Sequence, residues 1–135
     1  MTLKRFRYLA LICFTAWFAS CDQIIQNTPS TISGEWKVEE THYITGKTNY
    51  YISIEYTDTL KTGIKIYNFN NLNSYHCTAK LSGNYITIPN QKLGNNTVKG
   101  SGTVSSDNKT ITFNYNDDPY GDGGGSVTAK CTRLE

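Results

Sequence analysis

The chain has 135 residues, a formal net charge of +2, 38% hydrophobic residues and ten tyrosines. That length supports one domain around one modest core, and so small a charge excludes the basic surface that nucleic-acid binding requires. Tyrosine, threonine, asparagine, glycine and isoleucine dominate beyond the first twenty residues, a β composition with many turn formers.

Lys4, Arg5 and Arg7 form a positive start without an acid, and the remainder carries ten cations against eleven acids. Tyr8 to Phe18 is an apolar run of eleven residues. A membrane span needs about 20, whereas this run has the length and flanks of a signal peptide. Phe18-Ala19-Ser20-Cys21 then resembles a bacterial lipobox, with Phe18 in the usual place of an aliphatic residue. The resemblance implies cleavage before Cys21 and a lipid on its thiol; the other reading is an ordinary secretory signal with Cys21 in the core or in a disulfide. One acyl chain holds a protein marginally and two hold it well, at roughly 0.8 kcal/mol per methylene. The expected organisation is a signal peptide over 1–20, a lipidated tether over 21–33 and a folded domain over 34–135. Asp22 is the only acid directly after Cys21; lipoproteins of the Bacteroides type mark surface export with an acidic run there, so the lipobox resemblance implies an outer-membrane anchor facing the periplasm rather than surface export.

From Gly34 the alternation of apolar and polar residues predicts eight strands: Gly34–Thr41, Tyr50–Thr57, Gly63–Asn68, Ser74–Leu81, Tyr85–Pro89, Thr97–Ser105, Thr110–Asn114 and Val127–Leu134. Ile52, Ile54 and Tyr56 share one face of the second. Tyr75, Cys77, Ala79 and Leu81 share one face of the fourth, opposite His76, Thr78 and Lys80. Short turns such as Ser82-Gly83-Asn84 and Gly94-Asn95-Asn96 favour antiparallel neighbours in sequence order. Gly100 and Gly102, inside a long strand, predict a bend or a close approach of backbone. One helical turn is expected over Tyr43–Asn49. The fold class is all-β, an up-and-down barrel or a two-sheet sandwich, and closure into a barrel removes the edges that a small β protein must otherwise protect.

Ile32-Ser33-Gly34-Glu35-Trp36-Lys37-Val38 resembles the Gly-x-Trp motif that opens the first strand of lipocalins and other calycin barrels. Those proteins pack an arginine from the end of the last strand over the tryptophan, and Arg133 stands at that place. The chain from Ile32 onward also looks like the small lipocalin-like lipoproteins of the Bacteroides group, most clearly in Gly100 to Asp107 and Thr110 to Phe113. The resemblance implies an eight-stranded up-and-down barrel closed by Gly34, Trp36 and Arg133; a cation over an indole is worth about 0.5–2 kcal/mol. Many lipocalins also tie the final strand region back to the fourth strand, which implies a Cys77–Cys131 disulfide. The alternative is two buried thiols packed as small apolar groups.

Chemistry-bearing residues are few. Asn116 to Gly125 gathers Asp117, Asp118 and Asp122, a set that could hold a hard cation, but the spacing matches no calcium loop, and a solvated hairpin loop is the plainer reading. His42 and His76 are the only histidines, with no set of zinc partners around them. No nucleophile stands beside a base in a recognisable motif, so a non-catalytic protein without cofactor is expected. Its function is read as binding a small apolar or amphipathic ligand, which would compete for the interior with Trp36, Ile52, Ile54, Ile64, Ile66 and Phe113. The alternative is an interaction or inhibitor module at the cell envelope that uses exposed aromatics such as Tyr43, Tyr50, Tyr51, Tyr67 and Tyr120.

Overall fold

The first strand, β1 (Gly34–His42), alternates out and in without a slip, so Trp36, Val38, Glu40 and His42 all point inward and are buried. A computed structural model describes residues 31–135; the expected signal peptide, Cys21 and most of the expected tether lie outside them. The remaining strands are β2 (Gly46–Tyr56), β3 (Gly63–Tyr67), β4 (His76–Ser82), β5 (Tyr85–Leu93), β6 (Asn96–Val104), β7 (Thr110–Asp118) and β8 (Gly125–Arg133), with one 3₁₀ turn at Phe69–Asn71. Each strand pairs antiparallel with its neighbour in sequence, and β8 returns to β1, so the sheet is a closed eight-stranded barrel.

Three departures from the expected elements have local causes. The helical turn expected over Tyr43–Asn49 is a tight turn at 43–45, and β2 starts at Gly46, whose φ of +75° a side chain would oppose. β7 runs four residues beyond Asn114, which carries its inward face from Ile111 and Phe113 on to Tyr115 and Asp117. Tyr75 precedes β4 and is 46% exposed rather than inward.

Closure depends on two accommodations. Gly102 and Gly100 pair with Phe113 and Tyr115 of β7. A Cβ on Gly102 would meet Phe113 Cδ1 at 2.6 Å, so the two glycines leave room for the aromatic rings that fill the barrel. Between β4 and β5 the backbone ladder covers only Lys80–Ser82 against Tyr85–Thr87. Pro89 has no N–H to continue it. Gln91 takes over, its Oε1 accepting from Thr78 N–H at 2.9 Å and its Nε2 donating to Thr78 O at 2.7 Å.

One end of the barrel is sealed. Arg133 lies over the Trp36 ring, 5.3 Å from its centroid, and donates to Thr31 O at 2.8 Å and Ser33 O at 2.7 Å. Trp36 donates its indole N–H to Ile32 O at 3.1 Å. Gly34, at φ +131°, keeps the chain close under the guanidinium, where a Cβ would meet Arg133 Nη2 at 3.2 Å. The cation thus ties the approach segment to the last strand while capping the largest buried side chain.

The disulfide expectation is corrected. Cys77 and Cys131 are free, buried thiols. β4 and β8 are four strands apart in either direction around the barrel, hence on opposite walls. Eight strands at a spacing of ~4.8 Å enclose a diameter of about 15 Å, and a disulfide needs its Cα atoms within about 7 Å.

Burial pushes the Cys77 thiol up to about 12, and burial with Glu40 nearby does the same for Cys131. Unfolded thiols, with an ordinary value of 9.0, release protons where the folded ones keep them, so this contribution to stability is complete below pH 9 and lost as pH rises toward 12. Alkylation with iodoacetamide followed by peptide mass analysis checks the arrangement. Cys77 and Cys131 should stay unmodified in the folded chain and both react in denaturant without reductant.

Candidate functional site

The end of the barrel opposite Trp36 is built differently. There the inward faces of β1 and β7 finish in polar residues. Glu40, His42 and Asp117 are 4%, 8% and 1% exposed, and Tyr50, Asn70 and Tyr115 are buried beside them. The β3–β4 connection folds over this end. Asn68, Asn70 and Asn71 all adopt left-handed backbone, with φ of 58°, 57° and 56°, a conformation that asparagine tolerates better than most residues. The resulting sharp path sends Phe69 inward, edge-on to Phe113 at 5.5 Å and against Tyr115 at 4.7 Å.

Two hydrogen-bond systems organise the polar groups. In the first, Tyr50 and Tyr115 both donate to Glu40 Oε2, Tyr115 at 2.7 Å. Burial and then the Glu40 carboxylate push Tyr50 well above the usual phenol range, and burial, Tyr50 and Glu40 do the same for Tyr115, so they remain donors at any ordinary pH. Tyr115 also lies 2.8 Å from the Asn70 amide. A phenol has one proton for two contacts, so all three groups are satisfied when the amide turns its NH₂ toward Tyr115. Glu40 Oε1 has no hydrogen-bond partner among the described residues.

In the second system, His42 Nδ1 accepts from the backbone N–H groups of Ile44 at 3.1 Å and Thr45 at 3.4 Å. The ring proton therefore sits on Nε2 and is donated to Asp117 Oδ2 at 2.9 Å. Asn96 Nδ2 donates to both Asp117 oxygens, at 2.8 and 3.0 Å. Both imidazole nitrogens are thus engaged in holding the turn and the carboxylate.

These groups line a pocket of about 300 Å³ that opens at the barrel mouth. Glu40, His42, Thr48, Asn70, Asn96 and Asp117 form its polar wall, and Ile44, Leu72, Pro119 and Tyr120 its apolar rim. Among the described residues no lysine or arginine lines it. Thr48 Oγ1 is buried without a partner. A depression of about 440 Å³ on the outer face includes Lys37, Glu39, Lys47 and Lys130. Glu40 borders it too, but its other charges are exposed and of both signs, so it offers little to a ligand that water does not already supply.

The residues singled out by sequence separate accordingly. Gly34, Trp36 and Arg133 come together at the sealed end. Cys77 and Cys131 lie in the walls. Tyr50, read as an outer contact residue, is buried on Glu40, whereas Tyr43, Tyr51, Tyr67 and Tyr120 are exposed. In the acidic loop, Asp118 Oδ1 accepts the N–H groups of Tyr120, Gly121 and Asp122, and Oδ2 that of Gly123. The loop aims backbone donors at this carboxylate, the reverse of the carbonyl cage that a cation requires. His76 is exposed. Among the described residues no three His, Cys, Asp or Glu side chains converge as metal ligands.

No motif in the sequence points to Glu40 or Asn70, and Asn96 reads only as a turn residue after Gly94. Glu40, His42 and Asp117 carry a usable signal, their place in the inward phase of β1 and β7. Asn70 and Asn96 belong to no apolar alternation, and only the clustering of asparagines marks the turn.

No protein-family model and no curated protein matches this chain. Among solved structures it is similar to a redesigned β-barrel at 17% identity, with 77% of this chain and 92% of that one covered and a TM-score of 0.45.

Tyr115→Phe removes one of two donors from a buried carboxylate oxygen and a partner from Asn70. It should lower the unfolding free energy by about 1–3 kcal/mol, read as a lower urea midpoint with an unchanged slope. Tyr67→Phe, which loses only an exposed 3.1 Å bond to Glu55, should change the midpoint little.

Proposed function

We propose that this chain is a non-catalytic binding protein of the lipocalin-like type, and that its ligand sits in the polar mouth of the barrel. One observation carries the reading: the only desolvated polar groups gathered around a pocket among the described residues are those at the open end, while the interior beneath them is packed. Trp36, Ile54, Ile64, Ile66, Ile86 and Phe113 are each fully buried there. The mouth suits a small polar or amphipathic molecule, of which the rim would cover the apolar part, in place of a wholly apolar guest. Pre-set hydrogen-bonding groups with few apolar walls give orientation and specificity more than raw affinity.

The sealed end supports the lipocalin-like reading, since Arg133 over Trp36 beside Gly34 is the arrangement that the resemblance implies. The lipobox-like Phe18-Ala19-Ser20-Cys21 supports a lipid anchor on Cys21, with the domain held at an outer membrane on its periplasmic side. The mouth would then receive a ligand present in the cell envelope.

Mass spectrometry of the full chain purified gently from its own cells should find a small molecule retained in stoichiometric amount. Thr45→Trp, an exposed residue of the pocket lining, should abolish retention without loss of folding. An empty protein, or one whose guest is indifferent to Thr45→Trp, would contradict the mouth site. Separately, Cys21→Ser should release the protein from membranes or leave it unprocessed, and unchanged membrane association with unchanged mass would reject the anchor.

A further inference from the structure

We infer that the mouth pocket selects a small protonated amine, and that Glu40 is the group that recognises it. The inference rests on the mouth being the ligand site and adds the chemistry of the ligand.

The argument is one of charge. Glu40 is 4% exposed, and both of its donors are neutral phenols that share a single oxygen, Oε2. Oε1 has no partner among the described residues, and the residue lines the pocket. Asp117, 1% exposed, receives only neutral donors as well: the Asn96 amide, and a His42 ring whose Nδ1 is already occupied by two backbone N–H groups. Two buried carboxylates thus border one pocket, no lysine or arginine among the described residues lines it, and none forms an ion pair with either carboxylate. A buried charge without a counter-charge is costly, and neutral hydrogen bonds offset that cost only in part. A cation that enters the mouth recovers the remainder, through a charge-assisted bond to Oε1 in a setting of low dielectric. An anion meets the same field with opposite sign.

The rest of the pocket sets the size and kind of cation. Thr48 Oγ1, in the same wall, is unpartnered and can accept a second ammonium proton. Ile44, Leu72, Pro119 and Tyr120 form an apolar rim that suits a short hydrocarbon or aromatic body. A metal ion fits less well, since both His42 nitrogens and both Asp117 oxygens already have partners. A compact primary ammonium on a small apolar body satisfies all of these groups at once.

Calorimetric titration of the full chain at pH 7 with three probes of matched size tests this: phenethylammonium, phenethyl alcohol and phenylacetate. Phenethylammonium should bind at least tenfold tighter than the alcohol, and phenylacetate more weakly still. Glu40→Gln, which keeps the shape and removes the charge, should erase the preference, and Thr45→Trp should abolish binding. Alcohol or phenylacetate binding as tightly as the amine, still blocked by Thr45→Trp, would overturn the amine inference and leave the mouth site standing. Amine binding indifferent to Thr45→Trp would overturn both. Retention of the preference in Glu40→Gln, or no saturable amine binding, would overturn the inference alone. Should Glu40→Gln fail to fold, the three-probe comparison on the unaltered chain decides it.

Discussion

Burying a carboxylate obliges a protein to build around it, and Glu40 is where this barrel does so. Its burial needs donors, and Tyr50 and Tyr115 supply them from β2 and from β7. Tyr115 can reach because Gly100 opposite it has no side chain. Phe69 can pack on Tyr115 because three asparagines turn the β3–β4 connection over the mouth. The polar mouth, the glycines of β6 and the left-handed turn are therefore parts of one solution to a single desolvation problem.

The same strand also carries the opposite solution. Trp36 and Glu40 sit four residues apart on the inward face of β1, about 13 Å along the strand. At one end a cation caps an indole and ties down the approach segment, and the barrel is sealed. At the other end anions take neutral donors only, and the barrel opens. This asymmetry gives the fold a direction, with a structural end that consumes the one arginine of the described residues and a mouth where buried carboxylates lack a lysine or arginine partner.

Much of the architecture was legible because period-two alternation survives wherever one face is apolar, as in Ile52-Ser53-Ile54 or Ile111-Thr112-Phe113. The packing of Arg133 over Trp36 was implied by the Gly-x-Trp resemblance, with Arg133 at the matching place on the last strand. The mouth was harder to read for the same reason. Glu40, His42 and Asp117 keep the phase of their strands but break its chemistry, so each looks like the end of a strand instead of its continuation. Asn68 to Asn71 follow no period, since their role is in backbone angle. The two cysteines show a different limit: both are inward, but inward positions on β4 and β8 face each other across the full width of the barrel.

The account stands or falls on whether Glu40, inside the mouth, meets the guest. Its side-chain carboxyl ¹³C resonance reports this directly when phenethylammonium is added to the labelled chain. The account predicts a saturable shift at Glu40 with exposed Glu55 on the outer face of β2 unmoved. A Glu40 signal that stays fixed while outer-face carboxylates shift would contradict it.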